Sequence, residues 1–476
     1  MSSIIFERSL DDLNGKTIDV APQARDGCFR LVKCTAFLDP SKKLQVEEFS
    51  FDDMLKRPYA AISYPWRGID TRPILPTFHV KGAEDGDPIS VDVVHSACTA
   101  AIEGGADYIW LDRLCVLQNK ARKADKHSQI EHMHDVYRFC TLCIVIPGGL
   151  QRLVSLDEQT PWILRSWTLQ EALSPKNVVV LVAWSLGSCM VHFTSNFSWV
   201  TGFLAHKDEV KEVTQGRSAT IGLERLVNDT SEGFMVFVKK GSPEEVNEES
   251  PTCFISANIF HRRSSHARAL AAAMAESKYQ DLKDNAVWQC SQLRTSSRPV
   301  DMILSIMGMF GVTLTTKYEA HERLRATIDL AKEILKNGRS ASWLGSSFRV
   351  PPCKYISTFS LFPQTQVKGG AFITTPSGRQ DISDFIGGDS LSVETLTASR
   401  CLSLSGTGNI YGAGAVSLLP IAGRLLDQHT GRGSWCQLLP QGSMDDEGYL
   451  KTEVLSHPVR RCSEDSVRYH IYPAQC

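Results

Sequence analysis

The stretch Tyr59-Ala-Ala-Ile-Ser-Tyr-Pro-Trp66 is a short apolar run stopped by Pro65 and, two residues past its end, by Gly68. Such a run reads as a buried strand ending in a loop. Two runs of the same kind follow, Tyr108-Ile-Trp-Leu-Asp112 and Leu142-Cys-Ile-Val-Ile146, the second closed by Pro147-Gly148-Gly149. Between the first two, Ser90 can cap a helix whose apolar positions Val94, Cys98, Ala101 and Ile102 recur at helical spacing until Gly104-Gly105 ends it. Before the third, Ile130, Met133, Tyr137 and Cys140 fall on one helical face, and Val178 to Trp184 adds a further strand-like run. Strands apolar on both faces, alternating with helices, indicate a parallel sheet covered on both sides. Residues 51–215 therefore read as an α/β domain.

Outward from this domain the pattern changes. Residues 1–50 read as a lead segment. Residues 216–345 turn helical, with an Ala-rich run at Ala267 to Ala275 and a periodic set at Leu324, Ile328, Ala331 and Leu335 before Asn337-Gly338. Residues 346–476 are rich in Gly, Ser and Thr, with short runs such as Ala371-Phe-Ile-Thr-Thr and Tyr469-His-Ile-Tyr, and read as a small β-rich region. The polar stretches Gly241 to Thr252 and Gly345 to Lys354 read as linkers.

Bulk composition excludes several classes of function. The chain balances 51 basic against 53 acidic residues, so it offers no broad positive field, and nucleic acid is not an expected partner. Its longest apolar stretch, Val178 to Phe193, is interrupted by Ser185, Gly187 and Ser188 and falls short of the ~20 residues that span a bilayer. Acidic Glu7 follows a very short apolar run, unlike the core of a secretory signal. The 14 cysteines lack a regular spacing, as expected of buried reduced thiols in a cytoplasmic protein. Cys140-x-x-Cys143 is one pair without a second, and both read as core; no metal site is expected.

Three blocks resemble the fungal heterokaryon-incompatibility (HET) family in order and spacing. They are Tyr59 to Trp66, Tyr108-Ile-Trp-Leu-Asp-Arg-Leu-Cys-Val-Leu-Gln118, and Arg165-Ser-Trp-Thr-Leu-Gln-Glu171. Between the last two, Gln129-Ile-Glu-His-Met-His-Asp-Val-Tyr137 is similar to the family's helix of the form Gln-x-x-x-Met-x-x-x-Tyr. The first block departs from the usual Ser-Tyr-x-Trp-Gly in having Arg67 before Gly68, and the second has Val116-Leu117 before Gln118. HET domains are in turn similar to Toll/interleukin-receptor (TIR) domains, whose first strand often reads Phe-Ile-Ser-Tyr and which later carry Ser-x-Trp-Cys-x-x-Glu on a helix. Here Ala61-Ile-Ser-Tyr64 and Ser166-Trp-Thr-Leu-Gln-Glu171 stand at those places. The resemblance implies a TIR-like parallel sheet flanked by helices, and it places the glutamate that catalytic TIR domains need for cleaving NAD at Glu171.

Trp167 and Glu171 are four apart, hence adjacent on one helix face, where a carboxylate sits beside an aromatic wall and the pair could flank a ribose. Breaking the nicotinamide bond builds an oxocarbenium-like cation, which a fixed carboxylate stabilises. In open α/β sheets the crevice lies at the carboxyl ends of the strands, where Tyr64, Trp66, Arg67, Asp112 and Arg113 fall. Arg67 or Arg113 would hold a pyrophosphate, and Trp66 or Trp110 would stack on a base. The alternative is structural: Trp167 packed in the core, Glu171 solvated, Ser63 and Tyr64 satisfying a strand end, Asp112 capping a loop, the arginines surface charges.

Two functions stay open on the sequence. One is an effector of non-self recognition and programmed cell death that consumes NAD as substrate, without a bound cofactor, when its HET domains self-associate. The other is a non-catalytic module that triggers cell death through assembly with protein partners.

Overall fold

The computed structural model describes residues 2–40, 42–118, 122–192, 209–232, 234–239, 252–261, 264–275, 277–315, 317–339, 362, 364–365, 371–375, 377–382, 421–426, 433–444, 450–458 and 466–470. The chain divides into two compact units, Met1–Ala271 and Ala272–Cys476.

In the first unit the elements follow in the order β1 (Ser3–Ser9), β2 (Lys16–Ile18), β3 (Phe29–Lys33), α1 (Cys34–Leu38), β4 (Lys43–Phe49), α2 (Phe51–Leu55), β5 (Tyr59–Ser63), β6 (Thr77–Val80), β7 (Ile89–Ser90), α3 (Val91–Glu103), β8 (Tyr108–Trp110), α4 (Asp112–Cys115), α5 (Lys123–Glu131), α6 (Met133–Phe139), β9 (Leu142–Val145), α7 (Trp167–Leu173) and β10 (Val178–Ala183). Then come β11 (Cys189–His192), β12 (Glu209–Thr214), β13 (Ser218–Gly222), α8 (Leu223–Glu232), β14 (Phe234–Lys239), β15 (Thr252–Ser256) and α9 (Ser265–Met274), which runs across the unit boundary. Among the described residues one large sheet has the order β1-β4-β3-β8-β5-β9-β10-β13-β12-β11-β14-β15.

The middle of this sheet is parallel. β5 pairs with β8 on one side, Ala60 opposite Ile109, and with β9 on the other, Ala61 opposite Cys143; β9 in turn pairs with β10. Every residue of β5 and of β9 is buried, which is why these strands read as continuous apolar runs. The strands beyond β8 and β10 are antiparallel. The first fifty residues, which read from sequence as a lead segment apart from the α/β domain, supply three of them, β1, β3 and β4. β3 and β4 bury charge at Arg30 and Glu48. Arg30 sends its guanidinium to both oxygens of Asp125 at 3.1 Å and lies 3.4 Å from Glu48, all three side chains sealed from solvent or nearly so.

The helices fall close to their expected places. α3 ends at Gly104, followed by Gly105 at a φ of +83°, a conformation that costs glycine least. The single helical face through Ile130 and Tyr137 is broken into α5 and α6 at His132. The ring of His132 turns back to the Ser128 carbonyl at 2.8 Å, sharing it with the His132 amide at 3.2 Å, and packs edge-on against Phe51 at 4.5 Å.

The second unit holds α10 (Gln280–Gln292), α11 (Asp301–Leu304) and α12 (Arg323–Lys336), and the ring of Trp288 on α10 meets Phe310 and Phe362 edge-on. One terminal nitrogen of Arg339, Nη2, lies 2.9 Å from both carboxylate oxygens of Asp284, and the other, Nη1, bonds the Phe310 carbonyl. Strands β16 (Gln364–Thr365), β17 (Ala371–Thr375) and β18 (Gly378–Asp381) form one small sheet, and β19 (Ile421–Leu426), β20 (Gly433–Met444), β21 (Leu450–Pro458) and β22 (Ser466–His470) another. The stretches 241–251 and 345–354, read from sequence as linkers, lie outside the described residues. Among the described residues no helix is long and apolar enough to cross a membrane.

Candidate functional site

Three parallel strands end side by side, and each hands its chain to a loop at the same edge. β5 delivers Ser63, Tyr64 and Trp66, β8 delivers Asp112 and Arg113, and β9 delivers Pro147-Gly148-Gly149. In such sheets the crevice between loops forms at this edge.

Consecutive residues on an extended chain point to opposite sides, and Ser63 and Tyr64 reach two different carboxylates. The Ser63 hydroxyl donates to Glu171 Oε2 at 2.5 Å and accepts the indole N–H of Trp162 at 2.7 Å. Ser63 and Trp162 are fully buried and Glu171 is 7% exposed. The Glu171 carbonyl also accepts a bond from Cys143 Sγ on β9. On the other side, the Tyr64 phenol donates to Asp112 Oδ1 in a short bond, the Trp66 indole to Oδ2 at 2.5 Å, and the Arg113 amide to Oδ1 at 2.7 Å. Burial raises the Asp112 carboxyl above its ordinary value against the pull of these donors. Tyr64 is pushed well above the usual phenol range by burial and then by the Asp112 charge.

Tyr137 links the two sides. Its hydroxyl donates to the Ile62 carbonyl at 3.1 Å from α6. Burial drives its titration far up, and the nearby Glu171, Asp112 and Tyr64 push in the same direction.

The remaining residues singled out in the sequence divide. Arg113 is fully buried and committed to the neighbouring loop: its guanidinium holds the Asp87 carbonyl in a short bond and the Ala83 carbonyl at 3.0 Å, and its centre lies 5.8 Å from the Trp66 ring. Arg67 is exposed, its Nε on the Asp85 carbonyl at 2.8 Å. Trp167 is half-buried at the start of α7, one turn before Glu171. Asp87 completes the loop by accepting the Gly68 amide at 2.7 Å. Cys140 and Cys143 are buried, and among the described residues no group of three or more His, Cys, Asp or Glu is placed to hold a metal ion.

Sequence reasoning kept Ser63 only as a strand end, treated Tyr137 as a helix face, and passed over Trp162. Ser63 carried a signal, since a polar residue inside a run buried on both faces needs a partner. Trp162 carried none, because its partner is 99 residues away along the chain.

The family model of heterokaryon incompatibility protein (HET) matches residues 59–156, which span β5 to the loop after β9 and include Tyr64, Trp66, Asp112 and Tyr137. The match ends before Trp162, Trp167 and Glu171. No curated protein and no solved structure matches the chain.

Proposed function

We propose that the chain is an effector of fungal non-self recognition that triggers cell death, and that its α/β unit acts by cleaving NAD with Glu171 as the fixed negative charge. The family match over residues 59–156 supports the first part. The observation that carries the second is the place of Glu171: a buried carboxylate bound by Ser63 at 2.5 Å, at the carboxyl end of the central parallel strand. A helix glutamate with only a structural task is ordinarily solvated. The spacing of Trp167 and Glu171, one turn apart on α7, resembles that of catalytic TIR domains.

In this reading NAD lies across the loop edge with its nicotinamide ribose toward Glu171. The bond between ribose C1′ and the pyridinium nitrogen breaks, its electron pair leaves with the nitrogen, and nicotinamide departs neutral without a proton donor. The cation left at C1′ is stabilised by the carboxylate until water adds and loses a proton, giving ADP-ribose. Arg67, the exposed cation at the rim, faces the pyrophosphate, while Arg113 acts on the protein itself by fastening the 83–87 loop beneath Trp66. Self-association of the α/β unit brings the assembly to its active state. Incubation of the purified full chain with NAD, with products identified by mass spectrometry, tests this: nicotinamide and ADP-ribose in equal amounts are expected, and intact NAD in every assembled state counts against it.

A second reading, signalling without catalysis, is favoured by one observation. Asp112 and Arg113 are spent on internal partners, and the loop after β5 presents Ile74 at 40% and Leu75 at 67% exposure. Adjacent exposed apolar side chains suit a contact surface.

A further inference from the structure

Resting on the reading of Glu171 as the charged group of the site, we infer that Ser63 and Trp162 are positioning residues that hold its carboxylate at one place at the end of β5. The geometry runs in one direction. An indole N–H is a donor only, so at 2.7 Å it fixes Ser63 Oγ as its acceptor. The hydroxyl has a single proton to give, and at 2.5 Å that proton goes to Glu171 Oε2. A relay that begins on a neutral donor and ends on a carboxylate is a charge-assisted one, shorter and stronger than a bond between neutral groups.

The origin of the relay is itself immobilised. Trp162 is fully buried and its ring packs against Phe260 at 5.2 Å. The segment around Phe260 is fastened to the residues that precede Trp162. The Asn258 and Ile259 amides both donate to the Leu156 carbonyl, at 2.9 and 3.0 Å, the Thr160 hydroxyl donates to the Ile259 carbonyl at 2.7 Å, and the His261 ring Nε2 lies 3.0 Å from the Thr160 carbonyl. The far end is tied to the same point, because Thr168 on α7 donates to the Trp162 carbonyl at 2.8 Å. Ser63 is held by the sheet, its carbonyl accepting the Ile146 amide at 2.8 Å. Trp162 therefore joins β5 through its indole N–H, α7 through its carbonyl and the 257–261 segment through its ring, and the Ser63 oxygen that its indole holds is the one that touches Glu171.

The fixed carboxylate matters for rate and not for affinity. A charge that must meet a developing cation acts only in the transition state, so displacing it lowers kcat and leaves KM. Ser63→Ala removes the hydroxyl, and Trp162→Phe removes the N–H while keeping most of the ring. The experiment measures nicotinamide release by the full chain for wild type, both variants, Glu171→Gln and the pair Ser63→Ala/Glu171→Gln, with near-ultraviolet circular dichroism at the assay temperature confirming each fold. Ser63→Ala is expected to lower kcat by about tenfold or more, the effect of losing a hydrogen bond to a charged group, with KM within about twofold. Trp162→Phe should move kcat the same way by less, and adding Ser63→Ala to Glu171→Gln should slow the reaction no further. Wild-type kcat in a folded Ser63→Ala, a change confined to KM, or additive losses in the double variant would each overturn the positioning role while leaving NAD cleavage standing. A wild type that itself releases no nicotinamide overturns the NAD reading, and this inference with it.

Discussion

Gly68 and Gly148 meet so closely that a Cβ built on Gly68 would lie 2.7 Å from the Gly148 carbonyl carbon. Here the loop after β5 crosses the loop after β9, and the Ile69 amide donates to the Gly148 carbonyl at 3.1 Å. Backbone cannot give way as a flexible side chain can, so Gly68→Ala must part the two loops. It should cost about 2 kcal/mol and lower Tm by roughly 5 °C. Gly222→Ala, where an added Cβ meets nothing within 4 Å, is the control and should stay within about 0.5 kcal/mol. Equal melting of the two variants would mean that the loop crossing is not under constraint.

Arg30 ties β3 to α5, through Asp125, and to the end of α4, through the Cys115 carbonyl. Its two bonds to Asp125 and its proximity to Glu48 lie out of water, and one terminal nitrogen also reaches the Arg25 carbonyl at 2.8 Å. Removing the cation leaves the buried Asp125 without its counter-ion and leaves Glu48 with Arg25 alone. Arg30→Met is expected to destabilise by about 3–5 kcal/mol in denaturant unfolding. A loss under about 1 kcal/mol would show that water reaches this cluster.

Glu158 gives the acid limb a specific contribution. Arg152 bonds both its oxygens, at 2.9 and 2.5 Å, and lowers the carboxyl from 4.5 to about 2. A carboxyl depressed on folding adds stability above its unfolded value, and that stability is lost as pH falls through the folded value. The contribution is thus complete above about pH 4.5 and gone near pH 2. Both side chains keep about a third of their exposure or slightly less, so solvent screening reduces it to about 1 kcal/mol. Melting from pH 7 to 2 checks this: Glu158→Gln should be less stable than wild type at pH 7 and converge with it at pH 2. A constant gap across that range would contradict the assignment.

How much of this was legible depended on how far the stabilising partner lies along the chain. β5, β8 and β9 could be read because burial on both faces requires apolar residues at every position, and Pro65 and Pro147-Gly148 mark where that stops. β3 and β4 could not, because Arg30 and Glu48 look like surface residues until Asp125, 95 residues from Arg30, is brought to them. The same holds at the candidate site. Tyr64, Asp112 and Glu171 were legible from their blocks, whereas Ser63 and Trp162 gain their meaning from bonds spanning 108 and 99 residues. The break at His132 was hidden too, since the helical periodicity runs through Ile130 and Tyr137 without interruption.

The central claim is tested most directly by Glu171→Gln, which removes the charge and keeps the shape of the side chain. The paired measurement is nicotinamide release from NAD by the assembled full chain and thermal unfolding of the same preparations. Loss of a transition-state charge partner in a water-poor site costs on the order of 3 kcal/mol, so release should fall at least about a hundredfold while the variant still melts cooperatively. Release at the wild-type rate from a folded Glu171→Gln would contradict the account.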